Sequence, residues 1–139
     1  MKLIFVTQVL DPNHGSLAQT LDLVAALAAE TDELVVLCRE DRWGSAPPGV
    51  QVRKYGARSK AGRAFAYQRQ LAASIDGADA ILAHMVPTFL VLAAPLAKVR
   101  RVPLLRAQPP GRGRGGCAPG RRRARRGRRA GGGSRRRRR

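Results

Sequence analysis

Met1-Lys2-Leu3-Ile4-Phe5-Val6 is the stretch that decides the fold. Four consecutive apolar residues leave no solvated side, which suits a strand buried on both faces of a parallel sheet. Asp11-Pro12-Asn13-His14-Gly15 follows and supplies turn chemistry. Ser16, with Gln19 three residues on, has the pattern of a capping box and predicts a helix start. Leu17, Leu21, Val24 and Ala28 then recur at helical spacing, giving one apolar face, and Thr31-Asp32 ends the helix. The opening is thus one strand–loop–helix unit.

The same alternation continues outward. Leu34-Val35-Val36-Leu37, within residues 33–39, is a second short buried strand, and Pro47-Pro48 marks residues 44–49 as a loop. Val50-Gln51-Val52-Arg53-Lys54-Tyr55 alternates apolar with polar, as expected of a strand with one wet side near a sheet edge. Residues 61–75 read as a helix, with Ala64, Tyr67, Leu71 and Ile75 on one side and Asp76-Gly77 as its stop. Ala80-Ile81-Leu82-Ala83 is the next strand and runs into His84. Thr88 is the expected cap of a third helix reaching about Arg101, which Pro95 should kink or split. Pro103-Leu104-Leu105 starts a fifth strand. The order β-α-β-β-α-β-α-β predicts an α/β fold: an incomplete Rossmann-like parallel sheet with flanking helices.

Composition divides the chain in two. Residues 106–139 hold 15 of the 27 basic residues and none of the 9 acidic ones, so residues 1–105 carry 12 against 9, only +3 of the net +18. The high isoelectric point therefore belongs to the tail and says nothing of the fold. Of the 34 tail residues, 15 are Arg, 9 Gly, 4 Ala and 3 Pro. With so little to bury, ordering entropy wins, and the expectation is a disordered basic tail after a domain over 1–105.

Two cysteines, Cys38 and Cys117, have no metal-ligand spacing. Cys38 lies in an apolar run and reads as a small buried hydrophobe. The expected compartment is a reducing cytoplasm, with peripheral membrane association through the basic tail as a further option. Residues 89–97 fall well below the roughly 18 apolar residues of a membrane span, so no transmembrane segment is expected. Neither a catalytic triad nor a metal or cofactor site can be argued from the histidines His14 and His84.

Residues 1–105 resemble the N-terminal half of family-four GT-B glycosyltransferases. Four features carry the resemblance: the Met1–Val6 start; the glycine-bearing loop 11–15 leading into an alanine- and leucine-rich helix; Pro48-Gly49-Val50-Gln51-Val52; and Ala78-Asp79-Ala80-Ile81-Leu82-Ala83-His84. It implies a parent activity that moves a hexosyl-type group from a nucleotide-sugar donor to a sugar acceptor. It further implies an acceptor-side role for this half, in a cleft at the carboxyl ends of the strands. The donor-binding domain is missing from the match, so the chain is expected to be a truncated fragment, inactive alone.

The acceptor or cleft candidates are Asn13, His14, Gly15 and His84. Gly15 matches the glycine that lets backbone approach a ligand, or is an ordinary turn glycine. His14 is a ligand contact or a solvated loop residue. His84 faces the cleft or hydrogen-bonds a neighbouring backbone group. The family often places a histidine after its fifth strand, where this chain has Arg106-Ala107-Gln108-Pro109. For the tail, clustered arginines fit non-specific binding to nucleic acid or an anionic surface. They equally fit a shifted reading frame through GC-rich DNA, which would yield Arg, Gly, Ala and Pro. The frame-shift reading is the one expected.

Overall fold

The computed structural model describes residues 1–15 and 17–107. In chain order these are β1 (Lys2–Val6), β2 (Val9–Leu10), α1 (Gln19–Glu30), β3 (Glu33–Cys38), β4 (Glu40–Asp41), β5 (Val50–Lys54), α2 (Lys60–Ala72), β6 (Ala80–His84), α3 (Pro87–Arg100) and β7 (Leu104–Ala107). Five strands form one sheet in the order β5-β3-β1-β6-β7. All its pairings are parallel: Ile4 lies between Val35 and Ile81, Phe5 between Val36 and Leu82. The expected α/β class, a parallel Rossmann-like sheet with flanking helices, is what forms.

The burial of each strand follows its sequence pattern. The apolar runs of β1 and β3 sit centrally, with Ile4, Phe5, Val6, Val36 and Leu37 all fully buried. The alternating β5 takes an edge. Connections from β1 move towards β5 and those from β6 move the opposite way. Right-handed crossovers then require α1 on one face and α3 on the other. Two cores result. Leu3, Phe5, Leu34, Val36 and Cys38 pack with Val24 of α1. Ile4, Val6, Val35, Leu37 and Ile81 pack with Tyr67 and Leu71 of α2 and Ala93 and Ala97 of α3. On the α1 side β7 is poorly covered, and Leu105, paired with Leu82, is 49% exposed.

The helix boundaries depart from expectation in three places. The start of α1 is Gln19 with Ala18 at the N-cap, not Ser16. Ahead of it the His14 carbonyl accepts from the amides of Leu17 and Ala18, a turn that uses up the first helical residues. Ser16 itself is outside the described residues. The second helix stops at Ala72, although Ile75 remains buried in the following turn. Thr88 is not the cap of α3: Val86 holds that place and Pro87 is the first helical residue. Proline is favoured there because its missing N–H would have no partner anyway. Pro95 lies inside α3 without dividing it.

A feature absent from the sequence reading is the short pair β2–β4, with Val9 against Glu40 and Leu10 against Asp41. It prolongs the β1–β3 pairing past the sheet's carboxyl edge. The final strand runs on to Ala107, two residues beyond Leu105. The expected basic tail, beyond that strand, lies outside the described residues.

Candidate functional site

In a parallel sheet every strand ends on the same edge, and here the direction in which successive strands are added reverses between β1 and β6. The helix after β1 lies on one face and the helix after β6 on the other, the topology that in open α/β sheets gives a crevice outside the strand ends. Such a switch point is where open α/β sheets bind ligands. All four sequence candidates sit around it: Asn13, His14 and Gly15 on the loop between β2 and α1, His84 at the end of β6.

The loop is held from below by Asp11, which is 8% exposed. One carboxylate oxygen accepts from the Asn13 amide at 2.8 Å. The other lies 3.6 Å from the Arg42 guanidinium, which also reaches Glu40 at 3.7 Å. Arg42 thus helps to hold the loop, and its amide donates to the Leu10 carbonyl at 2.7 Å. Asn13 and Gly15 are exposed and His14 is half-buried. The His14 Nδ1 atom is buried with no hydrogen-bond partner among the described residues.

Gly15 is not required by the chain's own packing. A Cβ built there meets nothing within 4 Å, and its φ is not in the left-handed region. A side chain there would enter open space.

His84 packs against Phe5, with ring centroids 6.1 Å apart. Its Nδ1 is also buried without a partner among the described residues, so no bond to neighbouring backbone engages that atom. Burial pushes its pKa below the ordinary histidine value, leaving a neutral imidazole at pH 7. Met85 follows with φ of 60°, a left-handed backbone unusual for a side chain of that size. Strain of this kind gathers at ligand sites, where surrounding structure enforces it.

Two further residues at this edge escaped the sequence reading. The Gln8 side chain donates to the Met85 carbonyl at 3.3 Å and so spans the switch point. Thr7, fully buried, keeps an unpartnered Oγ1, while its carbonyl accepts from the Tyr55 hydroxyl at 2.8 Å. No local signal identifies either one, because Thr7-Gln8 simply follows an apolar run.

Three polar atoms at this edge, His14 Nδ1, His84 Nδ1 and Thr7 Oγ1, are buried and lack a hydrogen-bond partner among the described residues. The nearest described carboxylate on this loop, Asp11, is engaged by Asn13 and Arg42 and not by either histidine. No hydrogen bond joins the loop candidates to His84 among the described residues. The Cys38 thiol stays protonated and unreactive, because burial pushes it up to about 12. Among the described residues no group of three or more His, Cys, Asp or Glu could hold a metal ion. Nor is any described helix long and apolar enough to cross a membrane.

No family model matches the chain, and no curated protein does. Among solved structures it is similar to the crystal structure of WaaG, a glycosyltransferase involved in lipopolysaccharide biosynthesis. The identity is 16% and the TM-score 0.48, over 59% of this chain and 23% of that one. The chain therefore spans less than a quarter of that structure's length.

Proposed function

We propose that residues 1–107 are the acceptor-side Rossmann-like domain of a family-four GT-B glycosyltransferase. The observation that carries this reading is the convergence at the β1–β6 switch point. The loop bearing Asn13, His14 and Gly15 and the strand end bearing His84 flank one crevice, and Gln8 ties its two sides together. The order and spacing of the four sequence features that resemble the family support the same reading.

In this proposal Gly15 lets a sugar approach the loop backbone. The half-buried imidazoles of His14 and His84 hydrogen-bond its hydroxyls. Holding the acceptor accounts for orientation, one part of transfer. Donor binding and stabilisation of the leaving nucleotide require a second lobe, so residues 1–139 alone bind an acceptor and transfer nothing. The cytoplasm is the proposed compartment, and the 15 arginines of residues 106–139 are proposed as the product of a shifted frame.

The test is an NMR titration of the full chain with a panel of hexose oligosaccharides, alongside nucleotide sugars. Expected are shifts at His14, Gly15 and His84 with at least one oligosaccharide, and no nucleotide release from any nucleotide sugar. If sugars move none of those signals while nucleotide release is seen, the acceptor-side assignment is wrong. The tail composition favours a second reading, non-specific nucleic-acid binding by counterion release. That reading requires a gel shift at low salt that disappears as salt is raised.

A further inference from the structure

Away from the crevice, a groove of about 300 Å³ opens between the first turns of α2 and α3. Lys60, Arg63 and Ala64 form its α2 side; Thr88, Phe89 and Leu92 form its α3 side. Its chemistry is divided. Phe89, Leu92 and Ala64 make an apolar lining. Phe89 is held rigidly there, its ring 4.8 Å from Tyr55 and 4.9 Å from Tyr67. Behind it the Tyr67 hydroxyl is fully buried and has no partner among the described residues.

The polar part of the groove is cationic and uncompensated. Neither Lys60 nor Arg63 forms an ion pair among the described residues. This is no accident of rotamers: the sequence has seven Lys or Arg and no Asp or Glu from position 42 to 75. From 80 to 107 there is again no carboxylate. No protein carboxylate on α2 or α3 is therefore available to satisfy the two cations.

We propose that this groove binds an organic phosphate whose other end is apolar, one molecule per chain. An ammonium, a guanidinium and the Thr88 hydroxyl give donors enough for the terminal oxygens of a phosphoryl group. The Phe89–Leu92 lining takes the apolar end. The assignment rests on this groove alone and holds whether or not the crevice at the β1–β6 switch point accepts a sugar.

The test titrates the full chain with n-octyl phosphate below its micelle concentration, with inorganic phosphate, and with neutral n-octyl glucoside, following the Thr88 amide and Phe89 ring by NMR. Octyl phosphate should saturate a single site at those signals. A K60E/R63E double variant should bind it at least about tenfold more weakly, since a hydrogen bond to a charged group is worth roughly that factor or more. Inorganic phosphate should also bind at least about tenfold more weakly, and octyl glucoside should leave both signals unmoved. Thr88→Val, at a surface position, serves as a second variant should the charge reversals disturb folding, and should weaken binding severalfold with circular dichroism unchanged. Shifts confined to the arginine-rich residues 106–139 would overturn the proposal. So would equal affinity for inorganic phosphate, or octyl phosphate binding that both variants leave intact.

Discussion

Met85 holds the least comfortable backbone in the candidate site, and its φ of 60° makes a direct prediction. A left-handed conformation costs a non-glycine residue about 1–2 kcal/mol. Met85→Gly should therefore be neutral or stabilising by up to about 1 kcal/mol, glycine's greater freedom when unfolded offsetting part of the relief. Met85→Val should be destabilising. Urea midpoints of the two variants distinguish them, and a loss of stability in the glycine variant would show that the backbone is unstrained. Two buried tyrosines make a matched pair. Tyr55→Phe removes the bond to the Thr7 carbonyl and should cost about 1–2 kcal/mol. Tyr67→Phe removes a hydroxyl with no partner and should be neutral or favourable. His84 adds a pH dependence. Its folded pKa lies below the ordinary value of about 6.5, so the unfolded chain binds the proton more readily. Stability should then rise with pH from the depressed folded pKa up to about 6.5, and His84→Asn should flatten that segment of the profile. Of these residues, His84 and the loop 13–15 were legible from sequence because they follow apolar runs in a recognisable order. Met85, Thr7 and Gln8 were not, because strain and orphaned polar atoms are properties of the surroundings rather than of the residue type.

At the level of elements, strand positions could be read, as could the ends of α1 at Thr31 and α3 at Arg101, whereas the starts of α1 and α3 and the end of α2 could not. An apolar run such as Leu34-Val35-Val36-Leu37 has few ways to be buried, so its identity survives tertiary context. Helix starts are settled by competition between local signals. Thr88 offered a cap and Pro87 offered a first helical residue, and proline prevailed because its fixed φ already suits that place. The β2–β4 pair was invisible for another reason: two-residue strands carry no periodicity, and Val9 finds Glu40 only through the pairing of β1 with β3. The observed ends now bear predictions of their own. The Ser59 hydroxyl accepts from the Gly62 amide at 2.9 Å, capping α2. Ser59→Ala should cost about 1 kcal/mol. The C-cap of α3 is Arg101 with φ of 57°, a place where glycine is the favoured residue. Arg101→Gly should gain up to about 1 kcal/mol, read from the thermal midpoint; a clear loss would mean that the arginine side chain contributes more than the backbone costs.

For the molecule as a whole, the two faces of the sheet are unequally served. Two helices cover one face and one covers the other, which leaves Leu82 half-buried and Leu105 half-exposed on an edge strand. Parallel sheets normally have both faces covered, and an apolar edge invites pairing with other copies. The 139-residue chain should therefore melt at or below the low end of the roughly 45–65 °C range of ordinary domains, and should scatter light on heating. Leu105→Lys should delay the scattering without lowering the melting temperature by more than a few degrees. A sharp, reversible, monomeric transition well above 50 °C would contradict this.

Because β1 sits between β3 and β6, its two flanks are filled at very different times during synthesis. The hydrogen-bonding side towards β3 can close as soon as residues 33–38 leave the ribosome. The opposite side waits for Ala80 and its neighbours. Through that interval Leu3, Ile4, Phe5 and Val6, an unbroken apolar run, present an open ladder to whatever else is nearby. Pairing so distant in sequence slows folding and prolongs exposure to aggregation. A nascent-chain assay should find chaperone crosslinks to residues 2–6 that fade only once residue 84 has emerged.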